Sequence, residues 1–431
     1  MTIQNLISAL GVVVVVAAAW LLFSRDRRAF PWRVVLWGTG LQVGFALLLL
    51  KTGAGRAVFD GIRVGVTRLL SFTDAGASFL WGGLYRTSPD VVGNIGAGGG
   101  GLTFWQATNG ATGQLVPLGT VFVIHVLPTI IFFSSLMAVL YHLGIMQRVI
   151  GGVAWVMQRT MRTSGAESLC AAANIFLGQT EAPLVIRPYI ASLTMSELMA
   201  VMVGGFATIA AGVMVVYVRF GIDAGHLLAA SVMSAPAALL LTKVTLPERG
   251  EPLTRGSLKV DVPREYSNVI DAAAGGAAVG LKLAANVAAM LLAFIAFVAM
   301  INYGLGWLHT SLGQLLGWLF APCAWILGIP WSEARAVGSL LGTQISLNEF
   351  VAYLQLADAA HSGALSPRSV VITTYAICGF ANFASIAIQI GGIAPLAPGR
   401  RADLAKIGLK AMFVGMLASW MTAGIAGVLT T

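Results

Sequence analysis

The sequence predicts an all-α polytopic membrane protein, with about eight transmembrane helices, one interfacial helix and two re-entrant hairpins in an inverted repeat. Composition is the first reason: 57% of the 431 residues are hydrophobic and 10% are charged, against roughly 25% charged in a soluble domain. The second reason is a pair of polar tips, at residues 178–183 and 342–349, that interrupt short apolar segments. Paired interruptions of this kind indicate the binding site of a transporter.

Other classes of protein fit the sequence poorly. The net charge of +9 is explained by Lys and Arg in cytoplasmic loops. Aromatic residues do not interleave with the basic ones as nucleic-acid binding requires, so no nucleic-acid partner is predicted. The three cysteines and five histidines form no metal-binding motif, and no Ser-His-Asp set is evident, so an enzyme is not expected. The lack of charged rings disfavours a channel.

Apolar runs long enough to cross a bilayer give the predicted spans. They lie at residues 5–23, 34–50, 117–142, 195–218, 225–242, 280–304, 368–393 and 408–429. Basic clusters follow the first span, occupy the loop 243–265 and begin again at Arg400, all on one side in this order, which predicts that this side is cytoplasmic. Both termini are then outside, and the compact loops indicate a bacterial inner membrane.

Two segments are predicted to lie outside the hydrocarbon. Residues 55–71 place apolar side chains on one helical face and charged ones on another, which indicates an interfacial helix; an amphipathic helix packed on the protein is the alternative. Residues 82–116 are polar and glycine-rich and are expected to form an outer loop. The glycine run at 96–101 has no preceding strand and no following Gly-Lys-Ser/Thr, so it predicts no nucleotide site.

The chain contains one structural unit twice. Residues 205–211 and 379–385 share a Gly-Phe-Ala-polar pattern in the middle of a span, and each follows a hairpin with a Glu at its tip. One extra span separates the two units, so the second is inverted relative to the first, as in many secondary transporters. Small and polar residues in mid-span further predict that these helices are locally broken.

The repeat predicts how the chain is divided into four parts. They are 1–143 with the first three spans and the interfacial helix, 144–243 as the first repeat, 244–330 as a cytoplasmic loop and a span, and 331–431 as the second repeat.

The acidic residues identify the tips as the candidate site. Glu181 and Glu349 lie at the tips, where a carboxylate at membrane depth indicates function. Glu167 and Glu333 lie near the hairpin entrances, where capping or pairing is an equally good interpretation. Amides and hydroxyls accompany the tip carboxylates, and no Arg or Lys does, so an anionic solute would lack a counter-charge. The residues alone predict a neutral polar solute, such as a sugar or a nucleoside.

Three strings of residues closely resemble the concentrative nucleoside transporter family. They are Gly-Gln-Thr-Glu-Ala-Pro at 178–183 with Ile-Arg-Pro-Tyr at 186–189, Leu-Asn-Glu-Phe-Val-Ala-Tyr at 347–353, and Cys-Gly-Phe-Ala-Asn-Phe at 378–383. The resemblance extends over roughly residues 30–430. It implies a homotrimer in membrane lipid that imports a nucleoside such as uridine. It also implies that a scaffold, 1–143 and 244–330, surrounds a transport domain, 144–243 and 331–431, which moves as an elevator.

The resemblance also implies roles for particular residues. Those expected at the nucleobase are Gln179, Thr180, Glu181 and Val213. Those expected at the ribose are Glu349, Phe380, Asn382 and Ser385. Those expected at a coupling Na⁺ are Asn174, Thr208 and the carbonyl groups of Leu177 and Ile209, which are neutral oxygens of the kind that hard cations prefer. No organic cofactor is expected.

The implied function is a secondary active symporter that imports nucleosides on a sodium gradient. The family includes sodium-driven and proton-driven members. Asn174 favours sodium, because an amide does not titrate, whereas Glu181 and Glu349 are titratable groups that would suit a proton. Proton-coupled nucleoside symport therefore stays open, as does transport of another neutral polar solute.

Overall fold

Helices make up nearly all of the chain that the structure describes. The computed structural model describes residues 3–24, 26–81, 85, 105–108, 115–119, 122–256 and 266–430. Its first helices are α1 (Ile3–Phe23), α2 (Trp32–Lys51), α3 (Gly53–Trp81), α4 (Phe122–His125), α5 (Leu127–His142), α6 (Ile145–Met161), α7 (Gly165–Ala173), the 3₁₀ helix Ala182–Ser192, α8 (Met195–Ala207) and α9 (Ala211–Arg219). The later helices are α10 (Ala224–Thr245), α11 (Val269–Gly306), α12 (Leu312–Ile326), α13 (Trp331–Ser346), α14 (Glu349–His361), α15 (Pro367–Ala376), α16 (Phe383–Ile393) and α17 (Arg401–Leu429).

The described helices confirm the predicted polytopic all-α class. Seven helical runs among them are long and apolar enough to cross a membrane: Ile3–Phe23, Trp32–Lys51, Val123–His142, Met195–Arg219, Ala224–Thr245, Val269–Gly306 and Pro398–Leu429. The remaining predicted span, 368–393, is divided into α15 and α16. The chain is therefore a multi-pass membrane protein.

Both spans with the Gly-Phe-Ala pattern are broken, as the sequence predicts. In the first, α8 ends at Ala207 and α9 begins at Ala211, with Thr208 in an extended conformation between them. In the second, α15 ends at Ala376 and α16 begins at Phe383. We call these segments the first break (208–210) and the second break (377–382).

Both predicted hairpins are also present. In the first, α7 and the 3₁₀ helix flank a non-helical tip at 174–181, and Pro183 occupies the first turn of the returning arm, where its missing N–H is not needed. In the second, α13 and α14 flank Leu347 and Asn348, and the Asn348 side chain accepts a hydrogen bond from the Val351 N–H at 3.0 Å.

The structure differs from the predicted spans in several places. Helices α11 and α17 begin at 269 and 401, before the predicted starts at 280 and 408. Strands β1 (Trp105–Thr108) and β2 (Leu115–Gly119) pair antiparallel, so the third span begins at Val123 and not at 117. The glycine run at 96–101 lies outside the described residues. Helices α6 and α12, with 17 and 15 residues, were not predicted, because helices of this length are too short to register as spans.

The basic clusters lie together at one end of the molecule. The Arg249 guanidinium donates to Asp26 at 2.6 Å, which joins the α10–α11 loop to the α1–α2 loop, and this contact holds the pKa of the Asp26 carboxyl below its usual value. At the same end, Lys410 donates to the Thr245 carbonyl group at 3.0 Å. We call this the basic end.

The two chain termini lie together at the opposite end of α1. The Asn5 amide donates to the carbonyl groups of Gly427, Val428 and Thr430 at 2.8–3.2 Å. The Arg368 guanidinium also donates to the Thr430 carbonyl group. We call this the terminal end.

The two hairpins begin at opposite ends of the molecule, which confirms that the repeat is inverted. The first starts at the basic end, where the Gly165 N–H donates to the Thr254 carbonyl group at 2.9 Å. The second starts at the terminal end, because Leu327, shortly before α13, accepts a hydrogen bond from the Ser8 hydroxyl at 2.9 Å. The two tips therefore approach the middle of the molecule from opposite sides.

Helices α3 and α11 lie at the periphery of the chain. Only small residues of α11 are buried, namely Ala272, Gly276, Gly280 and Ala284. Their four-residue spacing places them in one stripe against α5, where a Cβ on Gly280 would lie 2.7 Å from the Ile131 Cα. Helix α3 contacts the protein through part of its apolar face, with the Phe59 ring 5.4 Å from that of His226.

A buried ion pair at the basic end gives a test of the fold. Lys243 Nζ lies 2.7 Å from Glu167 Oε2, and both side chains are at least 93% buried. Lys243→Met leaves a buried carboxylate without its charge partner, and we expect it to lower the free energy of unfolding by about 3–5 kcal/mol. The thermal unfolding midpoint in detergent measures the change.

Two further variants complete this test. Adding Glu167→Gln to Lys243→Met should restore most of the stability, because the remaining amide needs no counter-charge. Arg63→Gln is the control, since the Arg63–Asp60 pair is exposed and such pairs contribute little. Equal melting of Lys243→Met and the unaltered protein would contradict the assignment.

Candidate functional site

The first tip reaches a span of the second repeat through the Gln179 side chain. Gln179 Nε2 donates to Ser385 Oγ at 3.3 Å, and Gln179 Oε1 accepts from Gln389 Nε2 at 3.1 Å. Gln389 Nε2 also donates to the Met202 carbonyl group at 3.1 Å. A Cβ on Gly205 would lie 2.9 Å from the Gln179 Cβ, so only glycine allows α8 to approach the tip this closely.

The neighbouring tip residues face different surroundings. The Glu181 carboxylate folds back and accepts a hydrogen bond from the Gly178 N–H at 3.0 Å. The Thr180 side chain lies against α16, where a Cβ on Gly392 would come within 2.5 Å of its methyl group. Both side chains are partly exposed, whereas Gln179 is buried.

The second tip places Glu349 in a hydrogen-bonded pocket. Glu349 is the first residue of α14, and its Oε2 accepts from Asn382 Nδ2 at 3.0 Å. Its Oε1 lies 3.4 Å from the Tyr217 hydroxyl, which donates to it. Asn382 Oδ1 in turn accepts from the Ser385 N–H at 2.9 Å and so caps α16.

The structure therefore joins residues of both repeats into one continuous network. Its links run from Gln179 to Ser385, Asn382 and Glu349, all of which are buried. Phe380 is half-buried in the second break, two residues before Asn382. Val213 is buried on α9, after the first break, as part of the hydrophobic core.

The first tip lies beside the first break and contains a buried oxygen that has no hydrogen-bond partner in the described chain. This oxygen is Asn174 Oδ1. The break and the tip are joined by a hydrogen bond from the Ala211 N–H to the Phe176 carbonyl group at 3.0 Å. The Thr208 hydroxyl donates to the Gly204 carbonyl group at 2.9 Å, so its lone pairs stay available. An amide oxygen and a hydroxyl oxygen are the ligand types that a hard cation takes.

At the second break, side chains bond the released carbonyl groups, and Gln344 Oε1 is a further buried oxygen without a hydrogen-bond partner in the described chain. Gln344 Nε2 donates to the Ile377 and Gly379 carbonyl groups at 3.2 and 3.0 Å. The Ser419 hydroxyl donates to the Cys378 carbonyl group at 2.8 Å. Side chains thus satisfy the backbone that this break releases.

The hairpin-entrance acids have structural partners. Glu167 accepts from the Ser164 N–H at 2.8 Å in a capping box and pairs with Lys243. Glu333 accepts from the Ser366 N–H and hydroxyl, both at 3.1 Å. For these two residues the capping and pairing interpretation agrees with the geometry.

Two residues of the network were not identified from the sequence. Gln389 is a lone amide in the apolar run Ile-Ala-Ile-Gln-Ile at 386–390, and such a residue in mid-span is itself a signal of function. Tyr217 gives no such signal, because a tyrosine near the end of a span is ordinary at a membrane interface. Its contact with Glu349 depends on the packing of α9 against α14.

The site can bind a neutral polar molecule. It contains amides, hydroxyls and two carboxylates, and no Lys or Arg lies at either tip. A carboxylate held beside an amide and a hydroxyl can accept from vicinal hydroxyl groups. In the described part of the chain, no group of three or more His, Cys, Asp or Glu side chains could hold a metal ion.

Three protein-family models match the chain. The model described as Na⁺ dependent nucleoside transporter N-terminus matches residues 10–84, the model for nucleoside recognition matches residues 123–224, and the model described as Na⁺ dependent nucleoside transporter C-terminus matches residues 226–427. Together they cover most of the two repeats and the spans before them.

Curated relatives match over the whole chain. The sodium/nucleoside cotransporter 1 of Mus musculus is 40% identical over 449 residues, which cover 99% of this chain and 64% of the mouse protein. The chain thus spans slightly less than two thirds of the length of that relative. The uncharacterized transporter YutK of Bacillus subtilis is 42% identical, with 97% of this chain and 98% of the relative covered.

Solved structures of CNTnw share the fold. CNTnw in an inward-facing substrate-bound state has a TM-score of 0.89 and 42% identity, with 100% of both chains covered. A double variant of CNTnw in an outward-facing state has a TM-score of 0.87 and 40% identity, with 100% of this chain and 98% of that chain covered.

The close packing of the second break against the end of α8 can be tested at Gly379. A Cβ there would lie 2.4 Å from the Phe206 carbonyl oxygen and 3.1 Å from Ser419 Oγ. Gly379→Ala should therefore lower the free energy of unfolding by about 1–3 kcal/mol through overpacking. Gly391→Ala is the control, because nothing lies within 4 Å of that Cβ. Thermal melting in detergent compares the two variants, and equal midpoints would contradict the close packing at Gly379.

Proposed function

The chain belongs to the Na⁺-dependent, concentrative nucleoside transporter family, and from this premise we propose that it imports nucleosides by symport with sodium. The observation that carries the proposal is the network from Gln179 to Glu349, which joins both hairpin tips and the second break. CNTnw, 40–42% identical, is known in inward-facing and outward-facing states, which supports alternating access here. A transporter moves its substrate unchanged, so the protein is not an enzyme.

The nucleobase and the ribose are assigned to opposite sides of the network. Gln179, Thr180 and Glu181 at the first tip contact the base, with Val213 giving an apolar wall. The Glu349 carboxylate accepts hydrogen bonds from the ribose hydroxyls. Asn382 and Ser385 also hold the ribose. Phe380 covers the sugar from the second break. The buried amides and hydroxyls support this division, since they offer both donors and acceptors.

We place the coupling Na⁺ between the first tip and the first break. Asn174 Oδ1 and the Thr208 hydroxyl supply side-chain oxygens, and the Leu177 and Ile209 carbonyl groups complete the set. The unpartnered Asn174 oxygen supports this position, whereas the second break already has its carbonyl groups bonded by Gln344. Ion binding would order the first tip and raise affinity for the nucleoside, and by linkage the nucleoside would raise affinity for the ion.

The transport domain, made of the two repeats (144–243 and 331–431), moves as an elevator against a scaffold of the remaining parts (1–143 and 244–330). Helix α11 supports this assembly: outside its small-residue stripe it exposes large apolar side chains such as Phe297 and Ile295. Such a surface suits membrane lipid and neighbouring copies in a homotrimer. Helix α3 lies along the membrane surface.

The orientation follows from the two ends of the molecule. The basic end gathers Arg and Lys from several loops, so it faces the cytoplasm. The terminal end then faces outward, with both termini outside the bacterial inner membrane. The contacts of Asn5 with residues 427–430 support one common side for the termini.

Uptake of radiolabelled uridine into proteoliposomes tests the function. An inward Na⁺ gradient and an inward proton gradient are imposed separately at fixed voltage. Uptake driven by Na⁺ alone supports the proposal. Uptake driven only by protons would move the coupling role to Glu181 or Glu349, and absence of uptake under either gradient would overturn nucleoside transport.

The ion assignment predicts the effect of Asn174→Ala. Loss of one ligand oxygen should raise the Na⁺ concentration for half-maximal uptake by about 10-fold or more. At saturating Na⁺ the affinity for uridine should be nearly unchanged, because the amide does not touch the nucleoside. An unaltered Na⁺ dependence would contradict the assignment.

The ribose assignment predicts the effect of Glu349→Gln. A carboxylate has two acceptor oxygens, whereas an amide has one acceptor oxygen and one donor nitrogen. The variant therefore loses a hydrogen bond from a ribose hydroxyl, and uridine affinity should fall by about 10- to 100-fold. Asp358→Asn is the matched control, since Asp358 is an exposed acid on the same helix. Uridine binding to the purified variants gives the comparison, and normal affinity in Glu349→Gln would show that the ribose binds elsewhere.

A further inference from the structure

The orientation of the Gln389 amide is fixed by the backbone. Its Nε2 lies 3.1 Å from the Met202 carbonyl oxygen, which can only accept a hydrogen bond. The amide nitrogen must therefore face that oxygen, since the reverse orientation would set two acceptors against each other. Gln389 is fully buried, and a Cβ on Gly205 would lie 2.7 Å from its Nε2, so α8 packs directly against the amide.

This orientation fixes that of Gln179. Gln389 Nε2 also faces Gln179 at 3.1 Å, so the Gln179 atom that meets it must be the acceptor, Oε1. Gln179 Nε2 then points to Ser385 Oγ at 3.3 Å and donates to it. Because the Ser385 oxygen accepts this bond, its own proton remains free to be donated elsewhere.

We propose that Gln389 is a positioning residue that sets which hydrogen-bond donor and acceptor Gln179 presents to the nucleobase. The inference rests on the proposed function and deepens it, because it assigns base selectivity to a residue behind the site. One N–H of Gln179 and one lone pair of its oxygen stay unused, each in a fixed direction. A base with the complementary donor and acceptor is bound, and a base that lacks one of them leaves a buried group unpaired.

Removing the Gln389 amide should allow the Gln179 amide to rotate. In Gln389→Met the side-chain length is kept, but the donor to Met202 and to Gln179 is lost. The Gln179 amide can then rotate and pair with either pattern on a base. Selectivity between base edges should fall, whereas the contacts of the ribose with Glu349 should be unaffected.

The test measures inhibition of uridine uptake by analogues altered at the base or at the sugar. 3-Deazauridine lacks the N3–H, zebularine lacks both the 4-oxygen and the N3–H, and 3′-deoxyuridine lacks a ribose hydroxyl. For each analogue the inhibition constant is divided by that of unlabelled uridine. The unaltered protein, Gln389→Met and Gln389→Leu are compared after their melting temperatures and elution volumes in detergent have been checked. Gln389→Leu is used if the Gln389→Met variant does not fold.

The inference predicts different effects on the inhibition constants of the base analogues and of the ribose analogue. In the unaltered protein at least one base analogue should bind about 10-fold more weakly than uridine. In the Gln389 variants this ratio should fall to about 3-fold or less, while the ratio for 3′-deoxyuridine stays the same. A purely structural role would change all three ratios together or none of them.

Two results would overturn the inference while leaving nucleoside transport intact. One is an unchanged base ratio in a folded Gln389 variant. The other is the absence of any base penalty in the unaltered protein that transports uridine. Absence of uridine uptake by the unaltered protein would overturn the proposed function, and this inference with it.

Discussion

The structure depends on one constraint: a polypeptide that leaves helical geometry at membrane depth must find partners for its polar backbone groups. The chain does so at two tips and two breaks. It satisfies them against one another, with the Ala211 N–H bonded to the Phe176 carbonyl group at one crossing and Gln344 bonded to the second break at the other. Bringing the irregular segments together at mid-depth also brings together their side chains, and this is what creates the site.

The two halves of the site satisfy their polar groups differently. At the second break, amide and hydroxyl groups of the protein donate to the carbonyl oxygens, and Gln344 Oε1 is left without a partner in the described chain. At the first tip, Asn174 Oδ1 is buried without a partner in the described chain, and such a group costs free energy until something binds it. An ion that fills this position would stabilise the first tip, and the tip carries Gln179. In the proposed mechanism, ion binding and nucleoside binding would share one structural element, and this would be the physical basis for coupling between them.

Much of this arrangement was predictable from the sequence, because polar residues in apolar surroundings are rare and conspicuous. Glu181, Glu349 and Asn382 stand out in this way, and the paired Gly-Phe-Ala patterns predicted the breaks at 208–210 and 377–382. Tyr217 and the amphipathic helix α6 were not predictable, because an interfacial tyrosine and a short helix with a single buried face occur in many settings. The orientation of the Gln179 amide depends on a contact 210 residues away along the chain, which no local pattern encodes.

The most direct test of the account is equilibrium binding of uridine to the purified protein across a series of Na⁺ concentrations, together with the reciprocal titration of Na⁺ at increasing uridine. If the ion and the nucleoside share the first tip, the Kd for uridine will fall as Na⁺ rises, and the Kd for Na⁺ will fall by the same factor as uridine rises. A Kd for uridine that does not depend on Na⁺ would contradict the account.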